Sequence, residues 1–151
     1  MLRAAVLVLL MLHVSDASAC KCDTSSSFLS NASSGEVVVV TVVAPGAQEV
    51  RVSIDKQLAG PKVSGQVVVQ GADGGNCNAS VSDFKKGQRV VMVLSKRSAE
   101  FRLDGCGAHW LAVDGAKVKG VIDVGVTSLS LAELEKRVVE KQQAYEKWKG
   151  G

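Results

Sequence analysis

A chain of 151 residues with 46% hydrophobic residues, 4% aromatics and a formal charge of +3 has the length of one domain, with a core built mainly from Val, Leu and Ile. So mild a charge does not point to nucleic acid, and no apolar stretch reaches the roughly 20 residues that a membrane-spanning helix needs. Arg3, the apolar run from Ala4 to Val14 broken only by His13, and the small residues Ala17-Ser18-Ala19 form a secretory leader over residues 1–19. Its removal takes away Arg3 and Asp16 and makes Cys20 the first residue of a secreted, extracellular chain, or of a periplasmic one in a Gram-negative bacterium.

All four cysteines, Cys20, Cys22, Cys77 and Cys106, follow the leader, and an even number at an oxidising address reads as a disulfide framework. A bridge between Cys20 and Cys22 would close a strained short ring. Each therefore reaches to Cys77 or Cys106, and spacing does not choose between the two pairings. A structural zinc site would need paired Cys-x-x-Cys knuckles, which this sequence lacks.

Asp23 to Ser34, rich in Ser and Asn around Phe28 and Leu29, reads as a loop or one short helix. Five strands follow: Glu36 to Val43, Glu49 to Leu58, Gln66 to Gln70, Gln88 to Leu94 and Glu100 to Asp104, the second alternating Val50, Val52, Ile54 against Arg51, Ser53, Asp55. Strands of this number and spacing fit a small closed barrel or a sandwich. Ser130 with Glu133 makes a capping box, and the segment to Lys149 reads as a helix with an apolar stripe of Leu131, Leu134, Val138, Tyr145 and Trp148. The expected organisation is a leader (1–19), a barrel (20–126) and a C-terminal helical segment (127–151) packed on the barrel or extending from it.

Cys20-Lys21-Cys22, Phe28-Leu29-Ser30-Asn31-Ala32 before a valine strand, Gly75-Asn76-Cys77, and Cys106 after the fifth strand resemble the N-terminal inhibitory domain of the tissue inhibitors of metalloproteinases. The resemblance runs from Cys20 to about Trp110. It implies an all-β, netrin-like fold with a five-stranded OB barrel, and disulfides Cys20–Cys77 and Cys22–Cys106. It also implies a protease-binding ridge of Cys20, Lys21, Cys22, Asp23, Gly75, Asn76 and Cys77. The partner would be a zinc metalloprotease whose catalytic zinc Cys20 contacts, the chain having no cofactor of its own. Lys21 stands where the family carries a small hydroxylated residue, and Ser30 where it carries a cysteine; a counterpart of the family's second, C-terminal domain is not expected.

The chemistry has its own rationale. A free α-amine has a pKa of about 8, so at neutral pH a fraction carries a lone pair for a metal. With the carbonyl oxygen of the same residue it forms a five-membered chelate ring, which can take the open position of a catalytic zinc. Other readings of the same residues are a netrin-like binding module that inhibits nothing and a lipoprotein anchored at Cys20.

Enzyme chemistry is not expected, since His109 is the one histidine outside the leader and a Ser-His-Asp site would rest on it alone. Asp73-Gly74-Gly75-Asn76 lacks the spaced ligands of a calcium loop and reads as a turn. Lys85, Lys86, Lys96 and Arg97 read as solvated turn charges. Asn31-Ala32-Ser33 and Asn78-Ala79-Ser80 fit the N-glycosylation pattern.

Overall fold

The structure, a computed structural model, describes Cys20, Cys22, Asp23 and residues 25–151. The leader, Lys21 and Thr24 lie outside the described residues. The elements are α1 (Phe28–Asn31), β1 (Glu36–Ala44), β2 (Glu49–Ala59), β3 (Gln66–Gln70), β4 (Arg89–Arg97), β5 (Glu100–Leu103), β6 (Trp110–Asp114), β7 (Lys117–Asp123), β8 (Val126–Ser130) and α2 (Leu131–Lys149).

The first five strands form a closed ring in the order β1-β2-β3-β5-β4, with β4 returning to pair with β1. Within the ring only β3 and β5 run parallel. This is an OB-type barrel, and closure leaves none of these valine-rich strands with a free edge along the ring. Register shifts between β1 and β2 at Val37/Val38, Val39/Val40 and Val42/Ala44 bend the pair, as bulges do, and help it curl.

Strand β1 is valine at nearly every position because both of its faces are covered. Val38, Val40 and Val42 point into the barrel, where they meet Val50, Val52, Val69, Val90, Met92, Leu94 and Leu103. Val37 and Val39, on the opposite face, join Val91 and Val93 of β4 in a second core outside the ring. A strand buried on both sides reads as a continuous apolar run and not as an alternation.

Three strands beyond the expected five supply part of the cover for that second core. β6 pairs with β4, β7 with β6 and β8 with β7, all antiparallel. The expected helical segment from residue 127 therefore begins with the end of β8, and the helix itself starts at Leu131. Its predicted cap is in place, with Ser130 Oγ accepting from the Glu133 N–H at 3.1 Å.

Leu111, Val118, Ile122, Leu134 and Val138 complete the second core with Phe28 and Leu29 of α1. The α1 turn forms where Ser27 caps it, its hydroxyl accepting from the Ser30 N–H. Gln142 of α2 donates its side-chain amide to the carbonyls of Ala32 and Gly35, at 3.0 and 2.9 Å, and so hooks the helix over the entry to β1. The apolar stripe thus packs on the barrel in its N-terminal half, while Trp148 near the end is 77% exposed. Among the described residues no helix is long and apolar enough to cross a membrane.

Candidate functional site

The connection from β3 to β4 carries Gly75, Asn76 and Cys77, and its shape is written in side-chain hydrogen bonds. Asp73 Oδ1 accepts from the N–H groups of Gly75 and Asn76, both at 2.8 Å, which is the Asx turn that Asp and Asn favour. Those two donors hold the Asp73 carboxyl below the usual carboxylate range. Asn76 then braces the turn from within, its Oδ1 accepting from the Asn78 N–H at 3.1 Å and its Nδ2 donating to the Gly71 carbonyl at 3.0 Å. Asn78 Nδ2 reaches the same carbonyl at 3.2 Å.

The turn is fastened to the strand end at the other side. Gly105 N–H donates to the Cys77 carbonyl at 2.9 Å, and Ala79 N–H to the Leu103 carbonyl at 2.8 Å. The approach is close enough that a Cβ on Gly105 would stand 2.8 Å from the Cys77 oxygen, so only glycine fits without movement.

Cys20 is bonded to Cys77, with the two Cα atoms 5.7 Å apart. Both residues are exposed, as are Asp23 and Gly75, while Cys22 and Asn76 are half-buried. Cys20 Sγ lies 4.0 Å from the Asn76 carbonyl oxygen, a packing contact, since a disulfide sulfur has no proton to donate. Asp23 Oδ1 accepts from the hydroxyl and N–H of Ser25, and the hydroxyl first, then the N–H, hold its carboxyl below its ordinary value.

Further on, the segment zips against residues 106–108. Ser26 Oγ donates to the Cys106 carbonyl at 3.2 Å, Ala108 N–H to the Ser26 carbonyl at 3.0 Å, and Asn31 Nδ2 to the Ala108 carbonyl at 2.9 Å. The chain at Gly107 turns with a φ of 84°, and a Cβ there would collide with Ser26.

Cys22 and Cys106 differ from the expectation. The structure has both as free thiols, yet they are neighbours. The Cys22 thiol beside it, then burial, then Asp104 push the Cys106 thiol up to about 12. The two side chains lie within hydrogen-bonding reach of each other.

Cys20, Cys22, Asp23, Gly75, Asn76 and Cys77 therefore belong to one neighbourhood, joined covalently at Cys20–Cys77. Lys21, the remaining residue of the expected ridge, lies outside the described residues. Both glycosylation-pattern asparagines spend their amide nitrogens on internal carbonyls, Asn31 on Ala108 and Asn78 on Gly71. Of the residues that hold the site, Ser26, Asp104, Gly105 and Gly107 belong to no motif, while Asn31 belongs to the resemblance segment and to a glycosylation pattern.

Asp104 lines two recesses, the larger of which is bordered by the ridge residues Gly75, Asn76 and Cys77. One, of about 450 Å³, is bordered by Ala79, His109, Trp110 and Val121. His109 is half-buried there, and burial lowers its pKa from the ordinary histidine value. The other, of about 600 Å³, lies toward Lys96, Arg97 and Arg102. Among the described residues no group of three or more His, Cys, Asp or Glu side chains is placed to hold a metal ion. No protein-family model matches the chain, and no curated protein matches it at a significant level.

Proposed function

We propose that the mature chain is a secreted inhibitor of a zinc metalloprotease that acts through the backbone of Cys20, in the manner of the tissue inhibitors of metalloproteinases that its N-terminal part resembles. The observation that carries this reading is the bond from exposed Cys20 to exposed Cys77. It ties a chain terminus, once the leader is removed, to a braced turn.

Cleavage after Ala19 frees the Cys20 amine. Amine nitrogen and carbonyl oxygen together then chelate the partner's zinc, taking the position of the water that the protease uses as its nucleophile. The Cys20–Cys77 bridge and the Asp73 and Asn76 hydrogen bonds hold the two strips of the ridge in place before contact. Little conformational freedom is then lost on binding, which favours affinity. Lys21 is the side chain that follows the chelating residue. Its ammonium favours a protease whose specificity pocket carries an acidic group, since a buried cation needs a partner to offset desolvation.

The test compares the native terminus with a form bearing one extra alanine before Cys20. The extension moves the free amine out of chelating position and leaves barrel and disulfide intact. Thermal stability should be unchanged, and inhibition of a susceptible metalloprotease should fall at least about a hundredfold, as when a group at an interface centre is lost. Equal inhibition by both forms refutes chelation. Inhibition by neither, across a panel of metalloproteases, refutes the inhibitor reading and favours a non-inhibitory binding module.

A further inference from the structure

The hairpin of β4 and β5 outruns the barrel. Pairing of β1 with β4 ends at Glu36 opposite Leu94, and from Ser95 to Arg97 strand β4 pairs with β5 alone. The hairpin closes at Ser98, whose φ of 59° is the one positive value among the described non-glycine residues. Ser95 and Arg102 face each other across the two strands, on the side away from the barrel interior that Leu94 and Leu103 fill.

This overhang forms one wall of the recess of about 600 Å³ whose other wall is the Gly75–Asn78 ridge. Lys96, Arg97 and Arg102 line it, Arg97 being on the same face of the hairpin as Ser95 and Arg102, and Asp104 is the one acid in the lining. Asp104 is already engaged, its Oδ1 accepting from the Cys106 N–H at 2.9 Å.

The three cations have no counter-ion within the described residues. The ion pairs there are Lys56–Glu135, Arg89–Asp55, Lys119–Asp114 and Arg137–Glu133. Lys96 lies over the Phe101 ring, 5.6 Å from its centroid, on the face of the hairpin opposite Arg102. Arg102 stands out further. Its Nε is the one buried side-chain nitrogen or oxygen among the described residues without a hydrogen-bond partner. That Nε is closed to solvent, so an acceptor entering the recess would meet the other guanidinium nitrogens, whose donors a planar carboxylate can pair.

We propose that this recess is the pocket for an acidic side chain, Asp or Glu, of the partner protein that seats on the ridge. A carboxylate is the acceptor that matches the planar donor fork of arginine, and the recess shares its wall with the Cys20–Cys77 ridge, so one partner covers both. The proposal rests on the reading that the ridge is partner-facing and is independent of zinc chelation. Sequence position hid the site, because Arg102 and the Ser95–Arg97 tip come together with residues 75–78 only through the barrel.

The test is a titration of the ¹⁵N-labelled mature chain, following the Arg102 Nε–H resonance and the backbone amides of Asn76 and Cys77. The probes are a capped tetraglutamate peptide, its tetraglutamine counterpart, inorganic sulfate and a heparin-derived tetrasaccharide. Tetraglutamate should give a saturable shift at Arg102 and Asn76 and bind at least about tenfold more tightly than tetraglutamine. Arg102→Gln should weaken it by a similar factor. Exposed Arg97 provides a second variant, Arg97→Gln, with the same expected direction, should the first not fold.

No saturable shift at Arg102, or shifts centred on Lys85 and Lys86, overturns the proposal. Sulfate binding as tightly as the peptide overturns it in favour of a small free anion, and tighter binding of the tetrasaccharide in favour of a glycan. The titration contains no protease, so its failure leaves the alanine-extension test of Cys20 standing, and failure of that test leaves this one standing.

Discussion

Replacing Cys20 and Cys77 together by alanine removes one covalent link and leaves no unpaired thiol at either position. The two residues are 57 apart in sequence, and closing a loop of that length restricts the unfolded chain by about 4 kcal/mol in the chain-entropy account. For a mature chain of about 130 residues, that corresponds to a fall in Tm of roughly 15 °C. If Cys22 and Cys106 also bond, the path from 20 to 77 through the second bridge is only about thirty residues. Closure entropy is logarithmic in length, so the loss then shrinks only slightly, to just under 4 kcal/mol. Calorimetry on the native and doubly substituted chains measures the difference. Hydrogen exchange should show the Ala108 amide, bonded to Ser26, still protected, because the zipper at 106–108 does not depend on the bridge. A fall in Tm under about 5 °C would refute the reasoning, by showing that the unfolded chain is already held compact or that the bridge strains the native state.

Non-reducing peptide maps of the secreted protein should link Cys20 to Cys77 and Cys22 to Cys106, and four free thiols would overturn both pairings. In chain reduced at the second pair, Cys106 should alkylate at pH 8 far more slowly than an ordinary thiol, because its pKa is pushed up to about 12 chiefly by the Cys22 thiol; Cys22→Ser should speed it. Leu134→Ala empties a fully buried site of the second core and should cost about 3 kcal/mol by chemical denaturation, whereas Trp148→Ala, at an exposed position, should stay within about 0.5 kcal/mol. Asp73 has its folded pKa lowered by the Gly75 and Asn76 N–H groups. Its contribution to stability is therefore present above the unfolded value of about 4 and lost as pH falls through the folded one. Tm measured from pH 6 down to pH 2 should fall less steeply in Asp73→Asn than in the native chain, and parallel curves would refute the assignment.

The ring strands could be read from the sequence to within a residue or three at their ends, because β-branched runs bounded by Gly, Ser and Asp have few other uses. β6 to β8 could not. Gly120 sits inside β7 at a φ of 145°, where a Cβ would stand 2.7 Å from Leu111, and a glycine within a short run reads as a break. The signal that could have found these strands is the pair of tight connections at Gly115 and Gly125, both at positive φ, each between short runs with buried or half-buried apolar residues. For the site, spacing left two pairings for Cys20, and the bond to Cys77 agrees with the one that the resemblance implied. Lys96 and Arg97 read as solvated turn charges because nothing local reveals that a third cation, Arg102, and the turn at 75–78 stand around them.

The hook that Gln142 throws over Ala32 and Gly35 also dates the fold within the life of the chain. Synthesis runs from the N-terminus, and the ring cannot close until β5, ending at Leu103, has been made. The outer face of β1 waits longer, for Leu134 and Val138. Four consecutive valines, 37 to 40, spend that interval half-covered. They form the kind of β-prone, uncharged run that pairs with other chains. Helix α2 is therefore the element that ends the period of greatest risk. A chain cut short after β8 would be a barrel with one sticky side.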